Sequence, residues 1–147
     1  MQHASLFISI KPAFVSRIFD GRKTIELRRV RPNVLSGNFV LIYSSSPVMA
    51  LLGSARVEEV LSGPPCDLWA RVKDEAGVTR QEYESYFSNA AVAVGIRLAR
   101  VQRLARPIAL EELRRRWPWL RPPQSYRYVN AQFEHDGSEV SSIAPPP

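Results

Sequence analysis

Apolar and polar positions alternate in short runs along this chain. Leu6-Phe7-Ile8-Ser9-Ile10 is apolar and β-prone and predicts an opening strand. Lys11-Pro12 breaks it, and Pro12 suits the first turn of a helix, where no backbone N–H is required. Phe14, Val15, Ile18 and Phe19 recur at helical spacing, predicting a helix over Ala13–Phe19 that stops at Gly21. Thr24-Ile25-Glu26-Leu27-Arg28 alternates with a period of two. It predicts a half-buried strand with Ile25 and Leu27 on one face and Thr24, Glu26 and Arg28 on the other. Phe39–Tyr43 and Ala50–Val57, running on toward Val60, read as two more strands; Gly53 inside the second marks a bulge or a close approach.

After the Gly63-Pro64-Pro65 break, Leu68, Trp69 and Val72 show helical spacing within Cys66–Lys73. Thr79 with Glu82 three residues on forms a capping-box pattern. The helix it opens reaches about Phe87 and is expected to bury Tyr83, Tyr86 and Phe87. Two β-prone stretches follow, Ala93–Leu98 and Val101–Leu104, then a helix over Leu110–Trp117 stopped by Pro118. A proline-led segment from Leu120 to Val129 enters a last short strand. The order β-α-β-β-β-α-α-β-α-β leaves no room for helical crossovers between strands two and four. It predicts an α+β, mainly β architecture: a small, mostly antiparallel barrel with capping helices.

A length of 147 residues fits one ordinary domain. Its expected extent is 1–133, because Glu134–Pro147 has little apolar content, ends in prolines and reads as a disordered acidic tail. Charge sharpens this division. The net charge is +6 and all but three of the 20 basic residues are arginine. The tail holds Glu134, Asp136 and Glu139 and no basic residue, which leaves +9 on residues 1–133. An arginine-rich basic domain is a nucleic-acid candidate, since guanidinium groups pair with phosphate and stack on bases; a solvated charged face is the plainer alternative.

Other chemistries are narrowed by what the chain lacks. One cysteine, Cys66, allows no internal disulfide and no multi-cysteine metal site. His3 and His135 sit near the two ends, so neither a histidine zinc site nor a Ser–His–Asp triad is expected. No phosphate loop or dinucleotide fingerprint occurs, and no cofactor is expected. No apolar run approaches the roughly 20 residues of a membrane helix, and Met1–Ser5 does not begin like a signal peptide. The expected location is the cytoplasm. Trp69, Trp117 and Trp119 read as core residues, and Cys66 as an incidental thiol.

One polar cluster stands apart from this background. Gly21-Arg22-Lys23-Thr24-Ile25-Glu26-Leu27-Arg28 sets a glycine turn before a strand on which Glu26 and Arg28 share a face, with Lys23 at its entrance. A lysine, a carboxylate and an arginine so close can line a cleft for an anionic or polar ligand; an exposed strand face with ordinary ion pairs is the alternative.

The same stretch resembles the G-x-K-x-x-E-x-R signature of the ASCH family, whose fold is PUA-like. The likeness extends to Leu6–Lys11, to Tyr43-Ser44-Ser45-Ser46-Pro47 with Gly53, and to Pro122–Tyr128, which is similar to a subgroup described as predicted transcriptional regulators. The resemblance implies a β-barrel with a cleft that holds RNA, another nucleic acid or a modified nucleoside. It carries Gly21, Lys23, Glu26 and Arg28 into that cleft, with Lys11 and Ser45 beside them. From the terminal segment it adds Gln124, Ser125 and Tyr126. Tyr126 can stack on a base, with core packing of Tyr126 and Tyr128 the equal alternative, and Gln124 can pair with a base edge.

Binding alone and binding with chemistry both fit these residues. Some relatives are reported as ribonucleases, and Glu26 as base with Lys23 and Arg28 on the phosphorane would serve that reaction. One amidohydrolase-like subgroup acts on acetylated cytidine with a Lys, a Thr three residues on and a distant Glu. Here Glu26 occupies the threonine's place, Thr24 lies two residues off and Glu75 is the loosest of the matches. A third reading is a transcription-related adaptor that meets a protein partner through Trp117–Tyr128.

Overall fold

The computed structural model describes residues 4–146. The sequence readings that involve Met1–His3 and Pro147 lie outside the described residues. The elements are β1 (Ser5–Ile10), α1 (Pro12–Phe19), β2 (Ile25–Arg28), β3 (Phe39–Ser44), β4 (Ala50–Gly63), α2 (Pro65–Val72), α3 (Arg80–Tyr86), β5 (Ala93–Ala109), α4 (Leu110–Arg116), β6 (Tyr126–Glu134) and β7 (Glu139–Ala144). The strands form one sheet in the order β2-β5-β4-β3-β1-β6-β7.

β1 is buried along its length because it lies inside this sheet and is covered on both faces. The two-residue period sorts its side chains. Leu6, Ile8 and Ile10 join Val40 and Ile42 of β3 and Val15 and Ile18 of α1 in one core. Phe7 joins Leu41 and Tyr43 of β3 and Leu113 of α4 in a second. Ile25 and Leu27 of β2 face a third core, formed with Leu68 and Val72 of α2 and with Tyr83 and Phe87. That placement matches the alternation read from the sequence and turns Glu26 and Arg28 to the opposite side.

The architecture is mixed α+β and mainly β, and four features refine or correct the expected plan. First, β1 and β3 pair in parallel, Leu6 opposite Val40, because α1 and β2 occupy the connection between them. β2 leaves for the far edge and pairs with β5 instead. Second, the sheet is open rather than a closed barrel: among the described residues β2 and β7 are its two ends and do not pair with each other. It is nonetheless bent. Three register shifts interrupt the β4–β5 ladder, and the bend lets Ala105 N–H reach the Ser138 carbonyl at 2.8 Å. Third, the two β-prone stretches are one strand, β5, with Arg100 at φ 52° inside it.

Fourth, the acidic segment expected to be loose forms β7, paired with β6 through Asn130 opposite Ala144. Val140 and Ile143 enter the second core, and a boundary at residue 133 would cut β6 before its end. Two apolar side chains three apart escape a composition argument, yet Ile143 is 1% exposed. Ile143→Val is therefore expected to lower unfolding free energy by about 0.5–1.5 kcal/mol in urea titration. A disordered tail would give no change, so an unchanged midpoint would refute the docking of β7.

Candidate functional site

Three successive carbonyls set the position of the Gly21–Arg28 cluster. Gly21, at φ 86°, turns the chain out of α1, and Lys23 N–H bonds the Arg17 carbonyl at 3.0 Å. The segment between α2 and α3 then lies against the entrance of β2. The Glu75 carbonyl accepts from the N–H groups of Thr24 and Ile25 at 2.9 and 3.2 Å. The Ala76 carbonyl accepts from Lys23 Nζ at 2.9 Å, and the Gly77 carbonyl accepts from Arg17 Nη1 at 2.9 Å. Beyond them, Arg17 also pairs with Glu82 at 3.1 Å, tying α1 to the capping box of α3. Edge strand β2 is thereby held between β5 and this segment, and its polar side chains turn into a cleft of about 800 Å³.

Lys23, Glu26 and Arg28 are 1%, 5% and 8% exposed, so each charge has lost nearly all of its water. Lys23 has the Ala76 carbonyl and, 5.4 Å from its ammonium, the centre of the Phe14 ring. Burial pushes its ammonium below the ordinary lysine value, and the Glu26 carboxylate pulls it only part of the way back. Glu26 Oε1 accepts from the Leu27 N–H at 3.0 Å and lies 4.0 Å from Arg28 Nη2. Arg28 Nη2 donates to the Ser9 carbonyl at 2.8 Å and Nη1 to Ser125 Oγ at 3.3 Å. Glu26 Oε2, Arg28 Nε and Ser9 Oγ are buried without a hydrogen-bond partner. Folded proteins rarely leave such atoms unpaired, because each costs about 1–3 kcal/mol.

The residues expected at the site divide into two groups. Lys11, Lys23, Glu26, Arg28, Ser45, Gln124 and Ser125 all line the cleft. Gly21 shapes the turn and does not line it. Tyr126 does not line it either: its ring packs edge-on against Tyr128 at 6.0 Å, beside the first core. Thr24 hydroxyl faces the Glu75 carbonyl, and the Glu75 carboxylate pairs with Arg97 at 2.9 Å. Neither side chain lines the cleft.

Sequence reasoning missed the opposite wall. α3 contributes Glu82, Tyr83 and Tyr86, and α1 contributes Phe14. Tyr86 was expected in the core but stands exposed at the rim, its ring against Phe87 at 4.8 Å. Its hydroxyl is pushed up by partial burial and lies within the fields of Arg28 and Glu26. The three-residue interval from Tyr83 to Tyr86 looked like a core stripe. In the structure Tyr83 alone of the two points inward, with its hydroxyl on the Pro65 carbonyl at 2.6 Å and pushed up to about 12.

Outside the cleft, Trp117 and Trp119 pack against the second core, with Arg116 and Arg127 stacked on them at 4.2 and 5.2 Å. Exposed ligand atoms of Glu134, His135 and Glu139 gather within 4.8 Å of one another at the β6–β7 turn. No helix among the described residues is long and apolar enough to cross a membrane.

With this geometry in hand, comparison with known proteins is decisive on family. Residues 8–102 match the family model of the ASCH domain, and the end of β1, all of β2 and nearly all of the cleft fall inside that span. This chain belongs to the ASCH domain family. An ASCH domain-containing ribonuclease from Zymomonas mobilis is 33% identical over 125 residues, covering 85% of this chain and 84% of that protein. The crystal structure of ASCH from Zymomonas mobilis matches with a TM-score of 0.79 at 33% identity, over 84% of this chain and 86% of that one. A mutant form of the same protein matches with a TM-score of 0.79 at 30% identity, over 92% of both chains. The open sheet described above thus has the fold of the ASCH protein from Zymomonas mobilis.

Proposed function

We propose that this ASCH domain binds RNA, with one nucleotide seated in the cleft against Lys23, Glu26 and Arg28. The observation that carries this reading is the set of buried, unpaired atoms. Glu26 Oε2 and Arg28 Nε are desolvated by the fold and used by nothing in it, and both belong to side chains that line the cleft. A ligand with its own donors and acceptors satisfies them and recovers the cost of their burial. The excess of arginine supplies the long-range attraction that draws a polyanion to the surface. Lys11 at the rim and Ser45, Gln124 and Ser125 on the far wall are proposed to hold ribose and phosphate.

Fluorescence anisotropy with a short single-stranded RNA across a salt series tests the reading. Affinity is expected to fall steeply with salt, and Arg28→Ala is expected to weaken it by about tenfold or more, with the fold checked by circular dichroism. Salt-insensitive binding, or a folded Arg28→Ala protein that binds as the parent does, would overturn it.

A second reading, RNA cleavage in the same cleft, is favoured by the ribonuclease from Zymomonas mobilis. In it the unpaired Glu26 Oε2 takes the proton of a 2′-hydroxyl as that oxygen bonds to the adjacent phosphorus, Lys23 and Arg28 meet the charge on the phosphorane, and the 5′-oxygen leaves with a proton from solvent, giving a 2′,3′-cyclic phosphate. Loss of turnover with retained affinity in Glu26→Gln would favour this use of the carboxylate; equal turnover in the two proteins would dismiss it.

A further inference from the structure

Three charged residues that line the cleft keep spare hydrogen-bonding groups. Lys23 at the entrance of β2 spends one of its donors on the Ala76 carbonyl and keeps two. Glu26 has one oxygen occupied by the Leu27 N–H and the other free. Arg28 has both terminal nitrogens engaged, on Ser125 and Ser9, and a free Nε–H. In chain order the unused groups therefore read donor, acceptor, donor. All three side chains are at least nine-tenths buried, so a ligand cannot leave them to water.

Nucleic-acid bases differ in the complement they offer to such a wall. The imide edge of uracil presents O4, N3–H and O2, which is acceptor, donor, acceptor. Cytosine and adenine set a bare ring nitrogen against the carboxylate, so two acceptors would face each other. Guanine offers O6 and N1–H in register but turns its amino group toward a cation. Only the imide edge sets an acceptor, a donor and an acceptor against these three side chains. Phe14 and Tyr86 add ring faces that can lie against a flat base, and the cleft volume leaves room for the sugar and phosphate.

We propose that the cleft selects a uracil ring, reading its imide edge through Lys23, Glu26 and Arg28. This rests on the nucleotide-binding reading above and assigns that site a base. Thymine carries the same edge, so the shared chemistry is a pyrimidine imide.

The test compares oligo(U), oligo(C), oligo(A) and oligo(dT) of one length at one salt concentration, by anisotropy with the parent protein. Oligo(U) is expected to bind at least about tenfold more tightly than oligo(C) or oligo(A), the cost of one unpaired buried group. Methylation of the uracil N3 should erase that advantage while leaving charge and stacking in place. Oligo(dT) equal to oligo(U) supports imide reading from either nucleic acid; oligo(dT) below oligo(U) but above oligo(C) supports it with RNA as the source. Equal affinities for all four, still weakened by Arg28→Ala, would overturn the base assignment and leave the binding cleft standing. No binding by any of them would overturn the nucleotide-binding reading itself. Glu26→Gln adds a protein-side arm: the oligo(U) preference is expected to shrink, and an undiminished preference would count against the carboxylate as reader.

Discussion

Lys23→Ala is expected to weaken RNA binding by about 10- to 150-fold, the range for hydrogen bonds to a charged group. The side chain is 1% exposed and held by the Ala76 carbonyl, so its ammonium is already desolvated and oriented before a ligand arrives. Little ordering remains to be done on binding, and the interaction is strong in the low dielectric of the cleft wall. A distinctive pH dependence follows. Only the protonated amine carries the charge and the full set of donors. Because burial lowers the Lys23 value, the proton leaves at a lower pH than the 10.5 of an ordinary lysine, and affinity falls as pH rises through that lowered value. Titrating the affinity of a 2′-O-methyl RNA, which resists alkaline cleavage, checks this. The parent protein should lose affinity on the alkaline side, and in Lys23→Ala only the part of that loss due to ionisation of the base itself should remain. A parent profile that stays flat up to the ordinary lysine value would refute the assignment of Lys23 to the ligand.

Gly77→Ala is expected to lower unfolding free energy by about 2–5 kcal/mol and to remove binding along with it. Two costs add. At φ 62° a side chain adopts the left-handed conformation at about 1–2 kcal/mol. A methyl at that position would also stand 2.4 Å from Lys23 Cβ and 2.7 Å from Lys23 Cα, and overpacking of this kind costs about 1–3 kcal/mol. The nearest of these atoms belong to the backbone and the stem of Lys23, not to a flexible tip, so relief requires moving the lysine. That movement breaks the contact with Ala76 on which the position of the ammonium depends. Urea denaturation and anisotropy on the same preparation read the two effects. A variant with parental stability and affinity would show that this turn does not position Lys23.

The local pattern determined much of the plan. The alternation in Ile25–Arg28 correctly separates Ile25 and Leu27 from Glu26 and Arg28, because side-chain direction in a strand depends only on parity. The Thr79–Glu82 capping box places the start of α3 for a similar reason, its hydrogen bonds lying within one turn. Element order up to β6 follows from such short-range rules. β7 does not: Val140 and Ile143 gain meaning only against β6 and the second core, and a composition argument cannot supply that partner. Tyr126 and Tyr86 exchange expected places for the same reason. Each is an aromatic residue at the margin of an element, and which margin faces the cleft depends on how elements far apart in sequence dock.

The motif residues were legible as a polar cluster, and their membership in the ASCH family was legible with them. Their state was not. That Lys23 is buried follows from the Glu75–Gly77 segment closing over it, across 53 residues of chain in the case of the Ala76 carbonyl. That Arg28 has a free Nε and Glu26 a free oxygen is known only once Ser9, Ser125 and Leu27 have taken the other atoms. Sequence spacing by itself determined which side chains share a face, since that is a property of one strand. Tertiary structure alone decided which of their atoms remain unpaired, because the supply of partners comes from segments that only packing brings together.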